Sequence, residues 1–188
     1  MSHLKPEVSA ADHRAGPEAA PVTLVEYGDY QCPYCGQAYP IVQKVQEELG
    51  PRLRFVFRNF PLGEIHPHAE HAAETAEAAA AQEKFWEMHD LLFERQRALD
   101  DAHLLQYAEE LGLDVERARR ELESGTYSDR VRSDFQSGVR SGVNGTPTFF
   151  VNGQRLDGPW HFEGLMAAIR DAAAGNSTKS AASSENRG

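Results

Sequence analysis

Apolar positions along the chain switch between two spacings, and the switches mark its elements. Val22–Tyr27 is a short, mostly apolar run of the length and composition of a strand. From Cys32 or Pro33 the spacing becomes helical, with Ile41, Val45 and Leu49 one turn apart, and Gly50-Pro51 ends the helix. Pro40 lies inside it and is expected to kink it. In Leu53–Phe57 the spacing returns to two, Phe55 and Phe57 alternating with Arg54, Val56 and Arg58. Strand, helix and strand joined by short links predict a right-handed parallel unit.

After a loop over 59–67, the pattern is helical from Ala69 to about Gly142. Ala69, Ala72, Ala73, Ala76, Ala79 and Ala80 form a small-residue stripe that lets another element approach closely, and Phe85, Met88, Leu92 and Phe93 form a larger one. Asp101 is expected to cap the helix of Leu104, Leu105, Ala108 and Leu111, and Asp114 that of Val115, Ala118 and Leu122. Thr126 and Asp129 have capping-box spacing ahead of Val131, Phe135 and Val139. The stretch predicts four or five helices with a small core of their own. Thr148–Val151 and Gln154–Leu156 then flank Asn152-Gly153, a strong hairpin turn because both positions accept positive φ. Phe162, Leu165, Met166 and Ile169 predict a closing helix. Residues 1–20 are expected to be a flexible arm and 175–188 a disordered tail, since neither carries apolar periodicity.

Composition narrows the class. The chain has 188 residues, 40% of them hydrophobic, enough for one domain with an insertion. A net charge of −10 argues against nucleic acid and anionic membrane surfaces. No apolar run reaches the roughly 18 to 20 residues of a membrane span. Residues 1–20 contain no apolar core of a secretory signal, so a cytoplasmic location is expected, where a cycling disulfide fits better than a permanent one.

The chemistry centres on Cys32-Pro33-Tyr34-Cys35, which holds the only two cysteines. Two intervening residues bring both sulfurs to one helix N-terminus, where unpaired backbone N–H groups and the helix dipole favour a thiolate. The thiolate is the nucleophile of disulfide exchange, so Cys32, at the helix end, is the expected attacking group and Cys35, one turn inside, the resolving one. Half a zinc site is the competing reading, but structural zinc usually takes four ligands and no second cysteine pair exists. A second cluster, His66, His68 and His71, has spacing that could hold a transition metal. The plainer reading makes it a helix entry, with His68 and His71 on one face beside the redox site. His89 reads as a core or boundary histidine.

The order β-α-β, helical insertion, β-β-α, with C-x-x-C after the first strand, resembles the DsbA-like branch of the thioredoxin superfamily. The resemblance covers about residues 20–173. Its sharpest pieces are Pro21–Tyr27, Cys32–Cys35, Phe57–Pro61 and Gly142–Gly153, and it is greatest to a group found fused to, or beside, bacterial transport proteins. It implies an α/β thioredoxin-like fold: a first part over 21–65, an inserted helical subdomain over 66–142, and a second part over 143–174. It also implies that Pro147 is a cis-proline facing the cysteines, with the Thr146 backbone open to an extended substrate. An acidic residue often lies beneath such sites, and Glu26 is the candidate to take the Cys35 proton; an exposed place on the strand's polar phase is the alternative. Tyr30, Pro33 and Tyr34 are expected to form an apolar collar for partner peptides.

The expected activity is thiol–disulfide exchange on protein or small-thiol disulfides. The expected reductant is a thiol such as glutathione or a reductase, with no cofactor beyond the Cys32–Cys35 disulfide. Tyr34 stands where strongly oxidising periplasmic relatives carry histidine, which favours reductase or isomerase-like use over net oxidation. Three rivals remain: a client-binding or protease-adaptor protein of the same branch, an enzyme like the kappa-class glutathione transferases, and a metal-binding protein. The kappa class lacks the second cysteine, so Cys35 counts against it.

Overall fold

The computed structural model describes residues 2–185, with side chains to residue 175. Its strands are β1 (His13–Ala15), β2 (Val22–Gly28), β3 (Leu53–Asn59), β4 (Thr148–Val151) and β5 (Gln154–Arg155). They form one sheet in the order β1-β3-β2-β4-β5, in which β2 and β3 are parallel and every other pair antiparallel. Helix α1 (Pro33–Leu49) joins β2 to β3 and runs unbroken through Pro40. Five helices lie between β3 and β4: α2 (Ala69–Ala80), α3 (Phe85–Glu94), α4 (Asp101–Glu110), α5 (Val115–Glu123) and α6 (Ser128–Arg140). Helix α7 (Phe162–Glu185) closes the chain. This is the thioredoxin-like α/β architecture with a helical insertion.

All seven positions of β2 are buried, because both faces of the sheet are covered. Val22 and Leu24 face a core built with α1, α3 and α7, through residues such as Val42, Met88 and Leu165. Val25 and Tyr27 face a smaller cluster with Val56, Phe60, Phe150, Val143 and Leu4. The inserted helices do not have a separate core, contrary to expectation. Ala72, Ala76, Leu92, Leu104 and Ala118 belong to the same apolar cluster as Leu24 and Phe55. The alanine stripe on α2 permits this, since small side chains let α2 approach without a gap.

The N-terminal segment is not a flexible arm. It supplies edge strand β1, antiparallel to β3, and buries Leu4. The cause is Arg58, which alternation alone placed on a polar face. It is 2% exposed, and a guanidinium so enclosed needs acceptors. Asp12 Oδ1 accepts from its Nε at 2.7 Å, and the Pro6 carbonyl and Tyr27 hydroxyl accept from Nη1 at 3.1 and 2.9 Å. At the other end, 175–185 continue α7 rather than forming a disordered tail. No proline interrupts the stretch, so the helix can run on from the apolar face of Leu165, Met166 and Ile169. Residues 186–188 of that expected tail lie outside the described residues.

Two caps also differ from expectation. Asp100, not Asp101, caps α4, its side chain accepting from the His103 N–H. Thr126 forms no capping box, since α6 begins at Ser128 after Tyr127 with no side-chain cap. Asp114 caps α5 as anticipated, accepting from the Arg117 N–H.

Candidate active site

The parallel pairing of β2 with β3 sends both chains out at one edge of the sheet, and the cysteines sit there. Cys32 is the N-cap of α1, with extended backbone angles, and Pro33 occupies the first turn, where its missing N–H costs nothing. Both thiols are free; Cys32 is 4% exposed and Cys35 fully buried. Cys32 Sγ lies 3.4 Å from the Thr146 carbonyl oxygen, and the Asp29 N–H donates to Cys35 Sγ at 3.4 Å. Thr146 precedes β4, whose Thr148 pairs with Tyr27 of β2, so a residue 114 positions away becomes the opposite wall. The Thr146–Pro147 peptide bond is cis.

The electrostatics separate the two sulfurs. Cys32 is drawn down from 9.0 to about 5, chiefly by the hydrogen bond from the Cys35 thiol. Burial opposes this, while the backbone N–H groups of Cys35 and Tyr34 add to it. Cys35 is pushed well above 9.0, first by burial, then by its bond to Cys32 and by the charge on Glu26. One sulfur is a thiolate near neutral pH and the other holds its proton.

Glu26 lies on the core face of β2, resolving the question of which phase it takes. It is 2% exposed, and its Oε1 has no hydrogen-bond partner among the described residues. Burial, with a smaller contribution from the Cys32 charge, raises its carboxyl from 4.5 to about 8. A cavity of about 30 Å³ opens beside it, lined also by Tyr39, Gln43, His89 and Asp90, and is large and polar enough for a water molecule. His89 is buried there, its Nδ1 3.1 Å from the Tyr30 hydroxyl, and desolvation lowers it to about 3.

Tyr30 is not part of a surface collar. It is 1% exposed, enclosed by Phe57, Phe93 and His89, so it packs beneath the site rather than touching a partner. Pro33 and Tyr34 are exposed, Tyr34 at 61%. The three histidines do not converge: His66 Nδ1 meets Asp29 Oδ2 at 2.7 Å and His71 Nδ1 meets Asp101 Oδ1 at 2.6 Å. No group of three or more potential metal ligands forms among the described residues.

Two positioning residues escaped the sequence reading. Asp29 Oδ1 accepts from the backbone N–H groups of Gln31 and Cys32 at 2.8 and 3.2 Å, and its Oδ2 from Leu62 N–H at 2.9 Å. An aspartate two and three residues before the N–H groups it binds is the pattern of an Asx turn, a signal that was present. Gln96 Nε2 donates to the Tyr30 and Cys32 carbonyls at 2.8 and 2.7 Å. It comes so close that a side chain at Gly36 would meet its Oε1 at 2.3 Å. No local signal marks Gln96, because it arrives from the loop after α3.

A family profile described as Thioredoxin matches residues 9–171. The chain belongs to the thioredoxin family. Among solved thioredoxin-fold structures, a thioredoxin-like oxidoreductase from Silicibacter pomeroyi is 29% identical, with a TM-score of 0.77, over 87% of this chain and 93% of that one. The alpha-DsbA1 of Wolbachia pipientis shares the fold, with a TM-score of 0.78 at 20% identity, over 92% of this chain and 96% of that one. A curated relative, Na(+)/H(+) antiporter NhaA 3 of Salinispora tropica, is 50% identical over 86% of this chain. The match spans 24% of that protein, so this chain corresponds to about a quarter of the curated relative's length.

Proposed function

We propose that this chain is a DsbA-like thiol–disulfide oxidoreductase working through Cys32 and Cys35. The observation that carries the reading is the asymmetric pair at the N-terminus of α1: a stabilised Cys32 thiolate facing Thr146, and a buried, protonated Cys35 above an unpartnered Glu26. Cys32 attacks one sulfur of a substrate disulfide, forming a mixed disulfide and releasing the first substrate thiolate. Cys35 passes its proton to Glu26, directly or through water, and attacks Cys32 Sγ. The second substrate thiolate leaves and the Cys32–Cys35 disulfide remains. The substrate gains two electrons and the protein loses two; the reverse sequence oxidises a dithiol. A thiol such as glutathione, or a reductase, resets the pair, and no cofactor is required. Thr146 offers its backbone to an extended substrate, Pro147 holds that wall opposite the cysteines, and Pro33 and Tyr34 form the exposed rim.

The proposed setting is the cytoplasm. A Cys32 near 5 lies between thioredoxin, at about 7, and DsbA, at about 3.5. A potential between about −270 and −120 mV is expected, and Tyr34, where the strong oxidants carry histidine, supports reductase or isomerase-like use over net oxidation. The antiport named for the curated relatives is not part of the function proposed for this chain, which spans about a quarter of their length; no helix here, among the described residues, is long and apolar enough to cross a membrane. The exchange reading is tested by insulin reduction and by refolding of reduced ribonuclease. Wild type should be active, Cys32→Ser inactive, and Cys35→Ser should accumulate substrate adducts on Cys32. Adducts forming equally on Cys35 would reverse the assignment. Client binding that survives loss of both cysteines, with no exchange by wild type, would favour the adaptor reading.

A further inference from the structure

A groove of about 720 Å³ lies between the loop after β3 and the first turns of α2 and α6, and nothing in the exchange chemistry uses it. Its volume lies within the 300–1,000 Å³ range of ligand sites, room for a few side chains. We infer that this groove is a client-binding subsite: it receives an extended polypeptide segment that carries an apolar and a basic side chain near the cysteine being exchanged. The inference rests on the thiol–disulfide reading above.

Position is the first argument. Because β2 and β3 run parallel, the chain after Asn59 leaves the sheet at the same edge as Cys32. The loop that walls the groove is tied to the nucleophile through one carboxylate. Asp29 Oδ2 accepts from Leu62 N–H, while its Oδ1 accepts from Cys32 N–H. A substrate chain engaged at Thr146 therefore has flanking residues within reach of this surface.

Surface chemistry is the second. Leu62, Ile65, Val131 and Phe135 give the groove an apolar lining, and Ile65 is 69% exposed, a large apolar side chain left uncovered. Glu64, Glu70 and Glu74 stand around it. Neither Glu64 nor Glu70 makes an ion pair among the described residues, and Glu74 accepts only a neutral hydroxyl hydrogen bond, from Ser128 at 2.7 Å. Arg132, the one cation lining the groove among the described residues, is already bonded to Asp129 at 2.8 Å. The negative field is thus uncompensated from within. An acidic partner, a nucleic acid, or a second copy of this chain with its charge of −10 meets repulsion here; a segment bearing lysine or arginine beside a leucine-like residue meets complementary walls and floor.

The experiment uses two synthetic disulfide peptides that differ only in their flank, Lys-Leu against Glu-Leu. Hydroxyethyl disulfide serves as a flankless substrate of the same chemistry. The readout is each peptide's kcat/KM divided by that for hydroxyethyl disulfide on the same protein. Wild type should favour the Lys-Leu peptide about fivefold, the scale of two solvent-exposed ion pairs, mainly through KM, and 0.5 M salt should erase the preference. Glu64→Gln with Glu70→Gln should bring the ratio between peptides to near one. Ile65→Ser, an exposed change that spares the core, should lower the ratios of both peptides together. Equal use of both peptides by wild type, or a preference that survives the double change, overturns the groove. Failure of wild type to turn over hydroxyethyl disulfide overturns the exchange reading beneath it.

Discussion

Glu26→Gln removes the proposed proton acceptor while keeping its size. In the reduced chain the Glu26 carboxyl sits at about 8, held there by burial first and by the Cys32 charge second. When Cys32 enters a mixed disulfide it becomes neutral, so the second cause vanishes and the carboxyl ionises at lower pH. The carboxylate then forms just when Cys35 must be deprotonated. Burial keeps Cys35 well above 9.0, so without help less than about 1% of it is thiolate at pH 7. A positioned general base contributes about 10²–10⁴-fold. Release of the second substrate thiol should therefore slow by about 100-fold or more at pH 7, with the first attack by Cys32 changed only a few-fold. A stopped-flow single turnover with a fluorescent mixed disulfide, from pH 5 to 9, separates the steps. The wild-type release rate should level off below pH 8. The variant's should keep climbing, about tenfold per pH unit, to pH 9. Identical profiles would refute the proton-acceptor role.

The same substitution has a stability signature of defined sign. Folding raises Glu26 from 4.5 to about 8, so between those values the folded state holds the extra proton and stability falls as pH rises, by about 1.4 kcal/mol per unit. Cys32 is opposite: lowered from 9.0 to about 5, it contributes stability that is full above 9.0 and lost as pH falls towards 5. In the reduced protein the two slopes oppose each other from pH 5 to 8. Removing Glu26 takes away its opposing slope and leaves those of Cys32 and the buried His89. Relative to wild type, reduced Glu26→Gln should gain about 4 kcal/mol between pH 5 and 8 in urea titrations. A difference that stays constant with pH would mean that Glu26 does not titrate as a buried carboxyl.

Three further outcomes follow from named contacts. Asp12→Ala leaves the Arg58 guanidinium enclosed without its carboxylate and should cost about 3–5 kcal/mol in urea unfolding; a loss under about 0.5 would mean that the N-terminal segment is not held by this pair. Gly138→Ala places a Cβ 2.6 Å from the Phe60 ring, which is stacked on Phe135 and has little room to yield. A loss of about 1–3 kcal/mol is expected, and an unchanged melting temperature would contradict the packing. Tyr34→His sets a titratable cation beside the Cys32 thiolate at the helix N-terminus. It should raise the potential against glutathione by about 30 mV or more below pH 6, and a potential equal to that of wild type would sink the tuning argument.

The parts legible beforehand are those governed by local pattern. Short apolar runs and helical spacing mark β2, α1, β3 and β4, and the preference of Asn152-Gly153 for positive φ marks the turn after β4. What stayed hidden depends on partners distant in sequence. β1 is three residues, His13 to Ala15, with little strand character of its own; it pairs because Arg58 and Asp12 bring it to β3. Tyr30 beside the C-x-x-C looked like a surface aromatic until α3 supplied His89 and Phe93 to enclose it. Glu26 could not be assigned a face, since a one-residue shift of phase moves a strand residue from core to solvent.

The two carboxylates nearest the cysteines in sequence show why residue type alone does not assign a role. Asp29 and Glu26 both lie within six residues of Cys32, and both are buried. Asp29 receives backbone N–H donors from Gln31, Cys32 and Leu62 and meets His66, so its charge is consumed in holding the turn before α1 against the loop after β3. Glu26 has an oxygen with no partner, and its carboxyl is raised into the neutral range. A carboxylate bonded through both oxygens fixes geometry; one with an unpartnered oxygen in a desolvated site changes charge at little cost and can exchange a proton. In the proposed mechanism the position of Cys32 therefore depends on Asp29 and the ionisation of Cys35 on Glu26, and loss of either should impair exchange.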